Sequence, residues 1–113
     1  MPNKARVSAQ AFLAAIQGKT QDFELDGVGV VGIRSLTTPE AEQLTALQGE
    51  GTSAMLFKAI DLGLTDPVLS PEELAQLHTA LPGPVMKLAA AIMRLSGMAD
   101  EAATLEGEAG GGS

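Results

Sequence analysis

The sequence predicts a mainly α-helical α+β domain, with about five short helices packed on each other and on a small N-terminal β-hairpin. Three observations lead there. Of 113 residues 45% are hydrophobic, yet 18 of those are alanine and only Phe12, Phe23 and Phe57 are aromatic, so the core is aliphatic and suited to helices. Helix start signals recur along the chain, most clearly at Thr37-Thr38-Pro39-Glu40 and Ser70-Pro71-Glu72-Glu73. Only residues 21–36 combine a two-residue hydrophobic period with a run of β-branched residues.

The elements follow in order. Residues 1–7 form an N-terminal arm. Ser8 is a good N-cap for a short amphipathic helix of about ten residues, with Phe12, Leu13 and Ile16 on one face and Gly18 placed to end it in the left-handed conformation. A helix this short must dock on something to persist in water. Phe23 and Leu25 then alternate with Asp22, Glu24 and Asp26, Asp26-Gly27 makes a turn, and Val28, Val30, Val31 and Ile33 complete a hairpin. Gly29 and Gly32 there suggest a bulge or a close backbone contact.

Thr37 caps the next helix, whose apolar stripe is Ala41, Leu44 and Leu47. Gly49-Glu50-Gly51 breaks it, and Thr52 or Ser53 caps a helix carrying Met55, Leu56, Ala59 and Ile60 until Gly63 stops it. Residues 64–69 read as a turn-rich connector. Ser70 and Glu73 make a capping box for a helix from Pro71 to about Leu81, and a last helix runs from Pro84 or Val85 to Ser96, stopped by Gly97. Residues 8–98 thus form a single helical domain, and residues 99–113 an acidic, glycine-rich flexible tail.

Charge narrows the function. Net charge is −7, but residues 1–20 carry only Lys4, Arg6 and Lys19, whereas Asp100, Glu101, Glu106 and Glu108 make the tail purely acidic. Nucleic-acid binding depends on clustered Lys and Arg that displace phosphate counterions, and this chain has no such cluster. No run approaches the roughly 20 apolar residues that span a bilayer, so no membrane role is expected. Cysteine is absent, which excludes disulfides, thiolate metal sites and cysteine nucleophiles. The stretch after Arg6 reads as an amphipathic helix rather than a secretory signal, so the expected location is cytoplasmic.

No catalytic constellation emerges. His78 is the only histidine, and neither a general-base arrangement nor a zinc ligand set accompanies it, so it reads as a half-buried packing residue. Asp61 and Asp66 lack calcium-loop spacing and read as a solvated helix-end acid and an Asp-Pro turn. The glycines between positions 27 and 32 match neither a dinucleotide nor a Walker fingerprint. The serines lie in no nucleophile elbow. No cofactor, metal site or enzymatic activity is expected.

The last helix is the most informative element. Val85, Leu88, Ile92 and Leu95 line one face, Met86, Ala89, Ala90 and Met93 extend the apolar character, and only Lys87, Ala91 and Arg94 remain as a narrow polar stripe. A helix apolar on most sides needs cover on most sides. Either it is simply central, or Met86, Ala90, Met93 and Met98 form an adaptable surface for a partner or for another copy in a homo-oligomer.

The order of these parts resembles the tail assembly chaperones of long-tailed, siphovirus-like bacteriophages and related prophages, over most of the chain. The resemblance rests on the hairpin leading into Leu36-Thr37-Thr38-Pro39-Glu40, the acidic turn and capped helix at residues 66–73, and Leu95-Ser96-Gly97-Met98 running into an acidic tail. The mid-chain turn, Leu64-Thr65-Asp66-Pro67, departs from the family's usual Asp-Glu-Asp-Gly pattern. The resemblance implies an assembly factor rather than an enzyme, acting in the host bacterial cytoplasm and absent from the mature virion. It implies binding to the tape measure protein, which is kept soluble, and recruitment of tail tube protein. Family members are often made in two forms through a programmed frameshift, and Gly110-Gly111-Gly112 is compatible with such a site. The alternative is a small acidic self-associating adaptor or regulatory module.

Overall fold

The computed structural model describes residues 6–98, so most of the arm and the whole of the acidic tail, with Asp100, Glu101, Glu106 and Glu108, lie outside the described residues. Five helices and one three-stranded antiparallel sheet make up the described fold, in the mixed α+β class expected. Helix α1 spans Ala9–Ala15, strands β1 and β2 span Thr20–Leu25 and Gly29–Arg34, and α2 spans Thr38–Ala46. Helix α3 spans Thr52–Gly63, strand β3 Leu64–Asp66, α4 Pro71–Ala75 and α5 Pro82–Leu95.

The capping signals form as the sequence requires. Ser8 Oγ accepts the Ala11 amide proton at 3.0 Å. Thr37 with Glu40, and Ser70 with Glu73, close full capping boxes, each followed by proline in the first turn. Gly97, at φ 81°, ends α5: its amide donates to the Arg94 carbonyl at 3.0 Å and that of Met98 to Met93 at 2.8 Å. This pair of bonds is a Schellman motif, which brings Met98 back over the last turn.

The hairpin has the predicted alternation. Leu25, Val31 and Ile33 are buried and Phe23 is half-buried, while Asp22, Glu24 and Val30 point outward. The Val28 amide donates to the Leu25 carbonyl at 2.9 Å across a turn in which Gly27 has φ 81°, a positive value at the third position that favours glycine.

Residues 64–66, expected to be part of a connector, instead pair with β2 as β3, placing Leu64 opposite Ile33 and Asp66 opposite Gly32 with a register irregularity between them. Three residues are too few to show a hydrophobic period. Gly32 lies close against this strand, since a Cβ there would lie 2.9 Å from Thr65 Oγ1 and 3.2 Å from Asp66 Cβ. This is the close contact its position suggested.

Several boundaries differ from expectation. Helix α1 ends at a cap on Ile16, and Gly18 does not take a positive φ. Gly51, at φ 101°, occupies the cap position of α3, so Thr52 already lies inside the helix. The helix after Ser70 is α-helical only to Ala75 and continues as a tighter 3₁₀ turn over Gln76–Thr79. Helix α5 begins two residues early, at Pro82.

The core lies where α5 is enclosed by α3 on one side and the sheet on the other. Ile33, Leu44, Ile60, Ile92 and Met93 are its largest fully buried side chains. Gly63 does more than end α3. It is buried as the last residue of the helix, and a Cβ at this position would lie 2.5 Å from Ile92 Cγ2, so the helices approach as closely as glycine allows. Gly63→Ala should therefore destabilise the fold by about 2 kcal/mol through overpacking, read as a lower denaturant midpoint at unchanged slope. Gly49→Ala, where an added Cβ meets nothing within 4 Å, should be neutral or slightly stabilising in the same assay.

Candidate functional site

Among the described residues, a groove of about 680 Å³ lies where the end of α1, the open end of the hairpin and the end of α5 meet. Ile16, Lys19, Arg34, Leu36, Leu95 and Ser96 are among its lining residues. Its walls are a structural joint. Ser96 Oγ accepts the Leu36 amide proton at 2.7 Å and donates to the Ile92 carbonyl at 2.7 Å, tying the exit of β2 to the last turn of α5. Buried Ser35 extends the hairpin by one rung: its amide donates to the Lys19 carbonyl, and its Oγ accepts the Lys19 amide proton, both at 2.8 Å.

Arg34 and Glu40 complete the joint. The guanidinium donates to both carboxylate oxygens at 2.9 and 2.7 Å and to the Ser35 carbonyl at 3.0 Å. Glu40 Oε1 also accepts the Thr37 amide proton at 2.9 Å. The Arg34 hydrogen bonds, and then the Thr37 amide, lower the Glu40 pKa to about 2, while Glu40 raises that of Arg34. One carboxylate thus serves the helix cap and the strand end together. Such charge-assisted, bidentate geometry positions segments well and leaves neither group free for proton transfer.

The residues singled out on the last helix do not share a surface. Ala90 and Met93 have zero exposure, facing into the core, so in this fold they are packing residues rather than a partner contact. A helix covered on both sides has no second apolar face to offer. Met86 and Met98 are partly exposed and pack against the edge of the core, Met98 through the Schellman turn. The acidic tail residues lie outside the described residues.

His78 is exposed rather than half-buried, and its ring stands edge-on to Phe57 with centroids 4.5 Å apart. Asp61 lies 3.9 Å from Lys58, a surface pair of little energetic weight. Among the described residues no group of three or more His, Asp and Glu side chains could hold a metal ion, and no helix is long and apolar enough to cross a membrane. The apolar face of α1, expected to dock on something, is uncovered in this fold: Phe12, Leu13 and Ile16 are exposed and α1 buries no residue, and Val30 on the outer face of the hairpin is exposed as well.

Comparison with protein families, curated proteins and solved structures finds no match to this chain.

The joint makes two measurable claims. Ser96→Ala removes the link between β2 and α5 and should cost about 1–2 kcal/mol of unfolding free energy, partly because the Leu36 amide loses its partner. Glu40 has a folded pKa below its unfolded value, so the unfolded chain binds the extra proton. Stability from this group is full above about pH 4.5 and is lost as pH falls toward 2. Glu40→Gln should flatten that part of the acid-unfolding profile relative to the parent chain.

Proposed function

We propose that this protein is a tail assembly chaperone of a long-tailed bacteriophage or prophage, binding the tape measure protein, keeping it soluble and recruiting tail tube protein. One observation carries the reading. Two of the sequence steps on which the resemblance rests, Leu36-Thr37 and Leu95-Ser96-Gly97, are far apart in the chain yet meet at the joint through the Leu36 amide and Ser96 Oγ. That contact gives two of the quoted steps a shared structural role in this fold, which supports the reading.

The physical character of the chain fits such work. A net charge of −7 limits aggregation while the protein covers a partner's apolar stripe. Of Met86, Ala90, Met93 and Met98, the partly exposed and adaptable Met86 and Met98 are the two that can reach a partner, and the acidic tail follows them in the sequence. The work belongs to the host bacterial cytoplasm and leaves no copy in the mature virion. A longer, frameshifted form belongs to the same reading.

Co-expression with the long tape-measure protein of the same genome should keep that protein soluble and co-purify it. Met86→Lys with Met98→Lys should weaken the co-purification at least about tenfold while leaving the chain folded. Met93→Asp is unsuitable for this purpose, since it places a charge in the core and should unfold the domain. A tape-measure protein that stays insoluble and unbound in the presence of this chain overturns the proposal. The second reading, a self-associating adaptor, draws support from the uncovered apolar residues on α1 and the hairpin.

A further inference from the structure

The groove at the joint is one-sided in charge. Lys19 and Arg34 line it and no aspartate or glutamate does, in a chain whose net charge is −7. Arg34 is held by Glu40, yet its side chain is still 33% exposed. Lys19 is tied to Ser35 through its backbone alone; its side chain is exposed, and among the described residues no ion pair involves it. Beside these cations the walls carry Ile16, Leu36 and Leu95, with Ile16 exposed and the other two half-buried. An occupant that complements such a groove combines carboxylates with small or aliphatic side chains.

The residues that follow the groove in the chain have that composition. Positions 99–113 carry Asp100, Glu101, Glu106 and Glu108 with no base, interspersed with alanines and Leu105. They also set out from the groove itself, because Gly97 lines it and only Met98 stands between. An extended chain gains about 3.4 Å per residue, so even the first few of these positions have the reach to enter it. Contacts of this kind are weak between separate molecules. On one chain a short link raises the effective concentration to about the millimolar range, where weak contacts are occupied.

From this continuity and this charge we infer that the acidic segment after Met98 folds back into the groove of its own chain, its carboxylates at Lys19 and the exposed part of Arg34, its apolar side chains on Ile16, Leu36 and Leu95. The groove is then filled in the free protein. Any other molecule that uses it must first displace the segment. The inference concerns the isolated chain and is independent of the chaperone proposal.

The absence of cysteine makes a direct test available, since Ala103→Cys gives the full chain a single attachment point for a nitroxide. In the ¹⁵N-labelled protein the amides of Lys19, Thr20 and Leu36 should lose most of their intensity when the nitroxide is oxidised, relative to its reduced form. Those of Gly27 and Val28, at the turn that closes the other end of the hairpin, should lose far less. Mixing nitroxide-bearing unlabelled chain with ¹⁵N-labelled chain that lacks the cysteine should give no loss. Lys19→Glu should restore the intensities, as should high salt, which screens the charges. Asp100→Lys with Glu101→Lys, outside the folded domain, should restore them too, and combining those two with Lys19→Glu should bring part of the loss back. Unchanged amide shifts in α3 and α5 establish that each variant is folded. Groove amides that keep full intensity in the parent chain overturn the inference, as does a loss that neither charge reversal nor salt relieves. A loss in the mixed sample as strong as in the single chain assigns the groove to another copy and overturns it as well.

Discussion

Everything else in this fold depends on the close contact between α3 and α5. Gly63 lets the backbone of α3 come down onto Ile92, at a separation that any side chain larger than hydrogen would violate. Once that contact is made, Leu56, Ala59 and Ile60 cover one flank of α5, and Leu25, Val31 and Ile33 cover another. Fully burying an aliphatic side chain of this size contributes about 1.5–3 kcal/mol, so the burial of Val85, Leu88, Ile92 and Met93 is a large part of what holds so small a domain together. The small residues Ala59, Ala89 and Ala90, all at zero exposure, keep the packed elements near one another without opening voids.

The polar joint at the end of α5 translates that packing into a fixed orientation for the hairpin. Ser96 holds the strand exit, the Arg34 and Glu40 pair holds the strand end to the start of α2, and Ser35 carries the ladder one residue past the sheet. Each of these groups performs two tasks. Glu40 is both a capping-box glutamate and the partner of Arg34, and Ser96 both closes its own helix turn and accepts a remote amide proton. Economy of this kind lets each of these polar groups be satisfied by a neighbour already in place. Among the described residues no buried side-chain nitrogen or oxygen lacks a hydrogen-bond partner.

What could be read in the sequence was local. Capping boxes at Thr37 and Ser70, the alternation through Phe23 and Leu25, and the glycine stop at Gly97 are written in residues within one or two turns of each other. What escaped was set by distant partners. Strand β3 has three residues and is defined by its pairing with β2, a partner more than 30 residues earlier in the chain. Gly63 looks like a helix stop and acts as a packing site. Met93 and Ala90 looked available because a helix apolar on most sides carries no mark of which sides are covered, and only the sheet's position showed that both face inward. His78, expected to be half-buried, is exposed on a 3₁₀ turn. The Arg34 and Glu40 pair had a signal, an arginine six residues before a capping glutamate, which gains meaning only once the strand end and helix start are seen to face each other.

The last helix therefore belongs to the interior, with Met86 and Met98 at the core's margin, while α1 and the outer face of the hairpin stay exposed. Native-state hydrogen exchange tests that division most directly. The α5 amides of residues 89–93 should exchange only through global unfolding, with the highest protection in the chain, whereas those of residues 12–15 in α1 should be nearly unprotected. An α5 that exchanges through local opening while the hairpin and α3 stay protected would contradict the account, because a helix that leaves the core so readily could not be what the core is built around.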